Sequence, residues 1–334
     1  MAQDRLEGLD LLRGIAALSV MGFHVGVIFP QIETPFSRAY LAVDFFFMLS
    51  GLVLTRTYHQ RFQEGLGAAA FMALRLRRLW PTVAIGAVLG LASQLSIYEP
   101  DQLVWFFVMN LALVPYLAGG VVFPLNGVIW SIWFELVANF IHARGLARLS
   151  QAALLALALA MAALMVACVV KLETLGAGTW DTGSWQGNFA AGLPRVLLSY
   201  VIGSLLFLRF GDRPRWNVSG VVAPILLAGG LFLSGWLEGS WVVDAVFVIV
   251  LCPLIVLMGM TQIERGRWIG RVAGDLSFPL YAVHVPVFIL VAQAGLPWIA
   301  APAAAIAAAA AVLQVTRSQS RAKGGRDLSA VVGA

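Results

Sequence analysis

Apolar residues occur in long runs along most of the chain, and charged residues cluster between the runs. Several runs approach the roughly 20 apolar residues that a helix needs to cross a bilayer. Because backbone polar groups at that depth must be bonded within the segment, each run is predicted as a helix. Eleven hydrophobic segments are predicted, at residues 10–29, 39–56, 79–98, 102–118, 126–143, 151–171, 193–210, 219–237, 241–260, 275–293 and 296–315.

The composition agrees with this pattern, since 60% of the 334 residues are hydrophobic and only 12% are charged. A soluble domain carries about 25% charged residues. The chain is therefore predicted to be an all-α, polytopic integral membrane protein. Its first ten residues include both acidic and basic side chains, with no small-residue cleavage site after them, so the first segment is expected to remain as a signal anchor.

The net charge of +5 does not indicate a nucleic-acid partner, because the basic residues flank the apolar runs, as topology signals do. Cys168 and Cys252 both lie within apolar runs, and neither a disulfide nor a metal site is expected.

The basic residues also test the number of spans. Of the 22 Lys and Arg residues, 19 lie near the N-terminus, in the tail, or after the second, fifth, seventh and ninth segments. If all 19 are cytoplasmic, an even number of crossings must connect residue 78 to residue 144. One of the three segments there then does not cross fully, and 102–118, with Asn110 and Pro115, is predicted to be re-entrant or interfacial.

The predicted topology has about ten transmembrane helices, one re-entrant or interfacial helix and both termini in the cytoplasm. Residues 1–316 form one membrane domain, and the polar residues 317–334 form a disordered cytoplasmic tail. The basic connection 57–78 is predicted to contain an amphipathic helix on the membrane surface.

An arginine and a histidine lie within the first segment. His24 follows Arg13 by eleven positions, about three helical turns, so both side chains share a face and lie about 16 Å apart along the axis. Ionisable groups at membrane depth usually face a protein interior or a watery cavity. The alternative is that Arg13 reaches the cytoplasmic interface and His24 is a neutral packing residue.

Other polar residues in or beside the apolar runs are further candidates. Arg75 and Arg78 share a helix face and could bind phosphate through paired hydrogen bonds, or could simply belong to the positive-inside cluster. Asp44 is a costly carboxylate in the second segment, and Ser50-Gly51, later in the same segment, is interpreted as a packing site.

The fifth and tenth segments each carry a polar face. Glu135 needs a partner or a proton at this depth, and Arg13 and His24 are the expected candidates; a buried structural pair is the alternative. Asn126 and Trp130 lie at the outer edge of the same segment. Ser277, Tyr281 and His284 share one helix face, with spacings of four and three residues.

Together these stretches resemble the acyltransferase 3 family of integral-membrane O-acyltransferases. The similar motifs, in chain order over residues 9–284, are Leu-Asp-Leu-Leu-Arg-Gly with its downstream histidine, Val-Asp-Phe-Phe-Phe-Met-Leu-Ser-Gly, Arg-Leu-Arg-Arg, Trp-Ser-Ile-Trp-Phe-Glu and Ser-Phe-Pro-Leu-Tyr-Ala-Val-His. One departure is Leu136, which follows the glutamate where the family often has a second acidic residue or a glutamine. The choice of acceptor therefore does not carry over.

The resemblance implies transfer of an acyl group, often acetyl, from cytoplasmic acyl-coenzyme A to a hydroxyl of a cell-surface polysaccharide, a glycolipid or a secreted small molecule. It implies a bacterial inner membrane protein without a metal. The implied catalytic residues are His24, as general base or acyl carrier, with Arg13 and Glu135. Arg75 and Arg78 would bind coenzyme A phosphates, and the implied substrate contacts are Asp44, Asn126, Trp130, Tyr281 and His284.

Some members of that family carry a fused extracytoplasmic hydrolase-like domain, and no such domain is expected here. A second acyl-transfer step is then absent or belongs to a separate periplasmic acyltransferase. The alternative function is a transporter or flippase for a glycan or small anion, because intramembrane charges also line transport paths. Against the transporter alternative, the sequence has no inverted repeat and no matching pair of broken helices.

Overall fold

The fold is taken from a computed structural model, which describes residues 5–173, 178–212, 220–237, 240–260 and 267–332, with side chains as far as residue 318. Over these residues the chain forms twelve α-helices and a single isolated β-bridge, between Val121 and Trp185. The all-α prediction is confirmed. The helices are α1 Glu7–Ile28, α2 Leu41–Gln63, α3 Ala68–Gln94, α4 Pro100–Leu111, α5 Ile129–Arg144, α6 Gln151–Glu173, α7 Gly192–Phe210, α8 Val222–Ser234, α9 Trp241–Val246, α10 Cys252–Gly259, α11 Arg267–Gln293 and α12 Ala300–Val332.

Seven helical stretches among the described residues are long and apolar enough to cross a membrane, and α8 is a shorter apolar helix. The polytopic character is thus confirmed, but the count of ten spans is not. The seven stretches are Glu7–Ile28, Leu41–Gln63, Gln151–Glu173, Gln186–Phe210, Trp241–Gly259, Arg267–Gln293 and Ala300–Ser318.

The difference in the count arises at α3, α5 and α8, because the predicted ten already left out the segment that contains α4. The first half of α3 is rich in arginine, α5 has only 16 residues and α8 only 13; α4 has only 12. A helix of 12 residues is about 18 Å long, too short to cross a bilayer. Its length agrees with the incomplete crossing predicted for 102–118.

The basic connection at 57–78 differs from the prediction of a separate surface helix. Residues 57–63 are the end of α2, and residues 68–78 are the first turns of α3, which continues to Gln94. Pro81 lies inside α3 without ending it. Residues 68–78 are helical with one inward face, since Phe71 and Arg75 are buried, but this helix is not a separate one. Its location on the membrane surface stays a prediction.

The C-terminal helix α12 also extends beyond its predicted end, because its backbone is helical to Val332. Residues 317–334 were predicted to be a disordered tail, which this helix enters. Continuing a helix from a span needs no new nucleation step. Disorder of the tail stays a prediction.

The span Trp241–Gly259 contains an irregular turn. A π-helical segment, Phe247–Leu251, joins α9 to α10 and adds a residue to that turn. It lies just after Asp244, which is fully buried and accepts hydrogen bonds from Arg38 and Tyr40.

Glycines allow the close contact between α2 and α7 in the core. The helix α1 packs chiefly on α11, and α2 packs chiefly on α7. A Cβ atom built on Gly203 of α7 would lie 1.9 Å from the carbonyl oxygen of Met48, and one on Gly51 of α2 would lie 2.0 Å from that of Tyr200. The backbones touch directly, so the packing role predicted for Gly51 is confirmed.

Gly203→Ala should destabilise the protein by about 1–3 kcal/mol, because a methyl group there must displace backbone rather than a flexible side chain. Gly229→Ala on α8 is the matched control: no atom lies within 4 Å of its built Cβ, and alanine favours a helix by up to about 1 kcal/mol. Thermal unfolding in detergent measures both. Equal midpoints for the two variants would contradict the close approach.

Candidate active site

A cavity of about 150 Å³ lies between α1, α2, α3, α5 and α11. Its walls are formed by α1, α2 and α5, which carry the sequence candidates Arg13, Asp44 and Glu135, together with α3 and α11. Arg78, one of its lining residues, is exposed, so the cavity reaches the surface there. Its lining residues are Arg13, Val43, Phe46, Phe47, Ser50, Val53, Leu54, Arg75, Arg78, Leu79, Ser131, Ile132, Glu135, Gly274, Ser277, Phe278 and Tyr281.

One end of the cavity is lined by charged residues. Arg75 is buried and donates through Nη2 to Oε1 of Glu135 at 2.5 Å; Ser50 donates to the same oxygen at 3.1 Å. Arg13 and Arg78 line the cavity beside this pair. Three guanidinium groups therefore face one lining carboxylate, and the excess positive charge suits an anion.

The partners expected for Glu135 were Arg13 and His24, and the structure corrects this. Arg75 reaches the carboxylate instead, because it projects inward from the buried face of α3. Arg13 pairs with Asp10, one turn earlier on its own helix, with 3.1 Å between Nη1 and Oδ1.

The other end of the cavity has neutral polar groups. The Ser131 hydroxyl donates to the carbonyl oxygen of Val128 at 2.9 Å, so the Tyr281 hydroxyl, 2.6 Å away, donates to Ser131. Phe46 packs edge-on against the Tyr281 ring, and both line the cavity.

The two candidate histidines lie next to this end, and neither is a lining residue of the cavity. His284 follows Tyr281 by three positions and is fully buried, and Nε2 of His284 lies 3.1 Å from Nδ1 of half-buried His24. The single chamber expected to contain both Arg13 and His24 is therefore not found. Arg13 lines the cavity, and His24, about 16 Å farther along α1, does not.

Asp44 and Trp130 belong to a different cluster. Asp44 is fully buried and accepts from Nη2 of Arg195 at 2.8 Å and from the Ser199 hydroxyl at 3.2 Å. Arg195 also donates to the carbonyl oxygen of Thr182 at 2.9 Å, and its Cζ lies 5.4 Å from the Trp130 ring. This geometry indicates a structural ion pair, and contact of Asp44 or Trp130 with substrate stays a prediction.

The segment at 178–185, before α7, packs against this cluster through Asp181 and Thr182. Asp181 lies 3.7 Å from Nη1 of Arg195. Burial raises the pKa of Asp181, and the charge of the guanidinium opposes that change without cancelling it. Asn126, the remaining candidate, is also buried: its Nδ2 donates to the carbonyl oxygen of Ala282 at 2.8 Å and so ties the start of α5 to α11.

The structure thus brings five candidates to the cavity: Arg13, Arg75, Arg78, Glu135 and Tyr281. Sequence reasoning missed Ser50, which it interpreted only as packing, and Ser131, whose motif it quoted without assigning it a role. It also missed Arg195. A signal for Arg195 existed, because an arginine and an aspartate in apolar segments without other charges need each other as partners.

Comparison with known proteins now identifies the family. The family described as an acyltransferase domain matches residues 6–316 of this chain. The chain belongs to the acyltransferase 3 family. Protein 2 in the picA locus of Rhizobium radiobacter is 32% identical over 187 residues, covering 49% of this chain and 95% of that protein. No solved structure matches the chain.

Membership of the acyltransferase 3 family makes the chain a membrane enzyme that transfers acyl groups other than aminoacyl groups. The family thereby favours acyl transfer over the transporter alternative. Within the described ranges, no group of three or more His, Cys, Asp or Glu residues is arranged to hold a metal ion.

Asp44→Ala should reduce the free energy of unfolding by about 3–5 kcal/mol, because it leaves Arg195 charged, buried and without its main partner. Asp212→Ala is the control. Asp212 pairs with Arg56 at the surface, its side chain is 52% exposed, and such pairs contribute about 0–1 kcal/mol. Denaturation in detergent compares the two. An Asp44→Ala enzyme of normal stability but raised KM for acceptor would instead support the predicted substrate contact.

Proposed function

We propose that the enzyme transfers an acyl group, most simply acetyl, from acyl-coenzyme A to a hydroxyl of a sugar in a cell-surface polysaccharide or glycolipid. The observation that carries the proposal is the cavity of an acyltransferase 3 chain, which has three arginines at one end and the Tyr281 hydroxyl at the other, beside the contact between His284 and His24. An anionic donor and a hydroxyl nucleophile need these two environments.

The arginine end suits the phosphates of the donor. Arg78 lies at the exposed mouth, and Arg75 and Arg13 lie beside it. Arg75 uses Nη2 for Glu135, while its Nε is buried without a hydrogen-bond partner among the described residues. A guanidinium has five N–H donors, so the pair with Glu135 leaves others for an anion. Glu135 keeps Arg75 oriented and compensates part of its charge.

The long arm of the donor then carries the thioester from the arginines toward Tyr281 and the two histidines. His24 acts as the general base: the acceptor oxygen attacks the thioester carbon as His24 takes its proton, and the departing sulfur recovers that proton. The acceptor O–H and the C–S bond break, an ester C–O bond forms, and free thiol is released. A transient acyl-histidine is the covalent alternative.

The distribution of basic residues supports a cytoplasmic donor site. Arg75 and Arg78 belong to the clustered basic residues that favour the cytoplasmic side of a bacterial inner membrane, where acyl-coenzyme A is present and where both termini would also lie. The carbohydrate acceptor is the second substrate, and any second transfer would belong to a separate periplasmic acyltransferase. The bilayer is the remaining partner, and no nucleic acid takes part.

His24→Ala should lower transfer of labelled acetyl from acetyl-coenzyme A to a glycan acceptor by about 10²–10⁴-fold, the contribution of a positioned base. The purified enzyme in nanodiscs is the sample, and thermal stability is the folding control. Label trapped on the wild-type protein without acceptor, and absent from the variant, would favour the acyl-histidine. Full transfer by His24→Ala would remove the base from the mechanism.

Arg78→Ala should raise the KM for acetyl-coenzyme A by about 10–100-fold, the loss of one charged hydrogen bond. It should leave the KM for an acetyl thioester without phosphates unchanged. Arg77→Ala is the matched control, because Arg77 is adjacent and exposed but does not line the cavity. Equal effects of the two substitutions would mean that only general surface charge attracts the donor.

A further inference from the structure

The residue that contacts His24 is itself a histidine. Nε2 of His284 lies 3.1 Å from Nδ1 of His24, and the two rings meet edge to face with centroids 4.8 Å apart. Each ring also uses its Nδ1 toward its own helix: His24 to the carbonyl oxygen of Val20 and His284 to that of Leu280, both at 2.9 Å. These contacts determine which ring nitrogens carry protons.

The carbonyl oxygen of Leu280 can only accept a hydrogen bond. Nδ1 of His284 must therefore carry a hydrogen. Two adjacent imidazolium rings would repel each other, and apolar rings surround the pair, with Phe23 beside His24 and Phe288 beside His284. Apolar surroundings penalise a charge on either ring, so both histidines are assigned as neutral, and Nε2 of His284 then has a free lone pair.

Nδ1 of His24 faces two acceptors, the carbonyl oxygen of Val20 and the unprotonated Nε2 of His284. Because neither acceptor can donate, Nδ1 of His24 carries a hydrogen and shares it between them. Nε2 of His24 is left unprotonated, and no described residue bonds to it. Since His24 is half-buried, that nitrogen belongs to a ring that retains some exposed surface.

We propose that His284 is a positioning residue, which holds the His24 ring with Nδ1 protonated and Nε2 bare and ready to accept the proton of the acceptor hydroxyl. The inference rests on the proposed acyl transfer and changes the role of His284 from substrate contact to support of the base. When Nε2 of His24 takes the proton, Nδ1–H still points at two acceptors, and these stabilise the imidazolium. The departing thiolate then takes the proton from Nε2.

The kinetic test compares two replacements of His284. Leucine removes the acceptor, so His284→Leu should lower kcat about tenfold or more and leave the KM values for donor and acceptor unchanged. Glutamine can present a side-chain oxygen to Nδ1 of His24, so His284→Gln should retain most of the activity. A purely structural role would affect the two replacements alike, and a role in substrate binding would raise the KM for acceptor. Either result would overturn the proposal.

A double-mutant cycle tests whether His284 acts through His24. In the His24→Ala background, His284→Leu should cause no further loss. Multiplied losses would mean independent roles and would refute the positioning role. His142→Leu is the matched control: His142 is also buried, packs against Phe62 and Tyr200, and lies outside the cavity lining, so its loss should leave kcat unchanged.

A measurement without turnover separates this inference from the proposed function. The chain has four histidines, so nitrogen NMR of ¹⁵N-histidine-labelled protein in nanodiscs can assign each ring by single substitution. His24 should be neutral with its proton on Nδ1; a proton on Nε2 would overturn the proposal. If the wild type transfers no acyl group, the proposed function fails, and this spectrum alone decides the arrangement of the pair.

Discussion

The cost of a buried charge controls the interior of this enzyme. An ion that leaves water for a low-dielectric interior loses several kcal/mol of solvation, and only a close partner of opposite sign with further hydrogen bonds restores it. Asp44 and Arg195 satisfy this demand completely, since both are fully buried and bonded to each other. Arg75 and Glu135 satisfy it in part, because their pair borders a cavity.

The contrast between the two pairs explains where chemistry is possible. Around Arg195, the carbonyl oxygens of Thr182 and Tyr40 complete the set of acceptors, and nothing remains for a ligand. Around Arg75, an N–H group is left without a partner among the described residues. An incompletely satisfied charge beside an open space is the arrangement expected of a binding site rather than of a core.

The sequence predicted the class of the fold and the residue types of the site, but not their pairing. Apolar runs identify membrane helices because the bilayer demands them, yet α3 and α5 show that a run does not fix a span. Glu135 could be predicted to need a cation. Its choice of Arg75 over Arg13 depends on the rotation of α3 against α5, which the local sequence does not encode. The contact between His24 and His284 likewise joins residues 260 positions apart.

The π-helical turn Phe247–Leu251 has a consequence for tracing ancestry. A π turn holds one residue more than an α turn, so every later position is shifted by one residue, or about 100°, relative to a regular helix. Asp244 before the turn and Ile255 and Val256 after it are all buried, so both parts of this helix face inward although the sequence spacing between them is out of step by one residue. An alignment that runs without a gap through this helix, against a relative with a regular turn here, would pair inward-facing positions with lipid-facing ones.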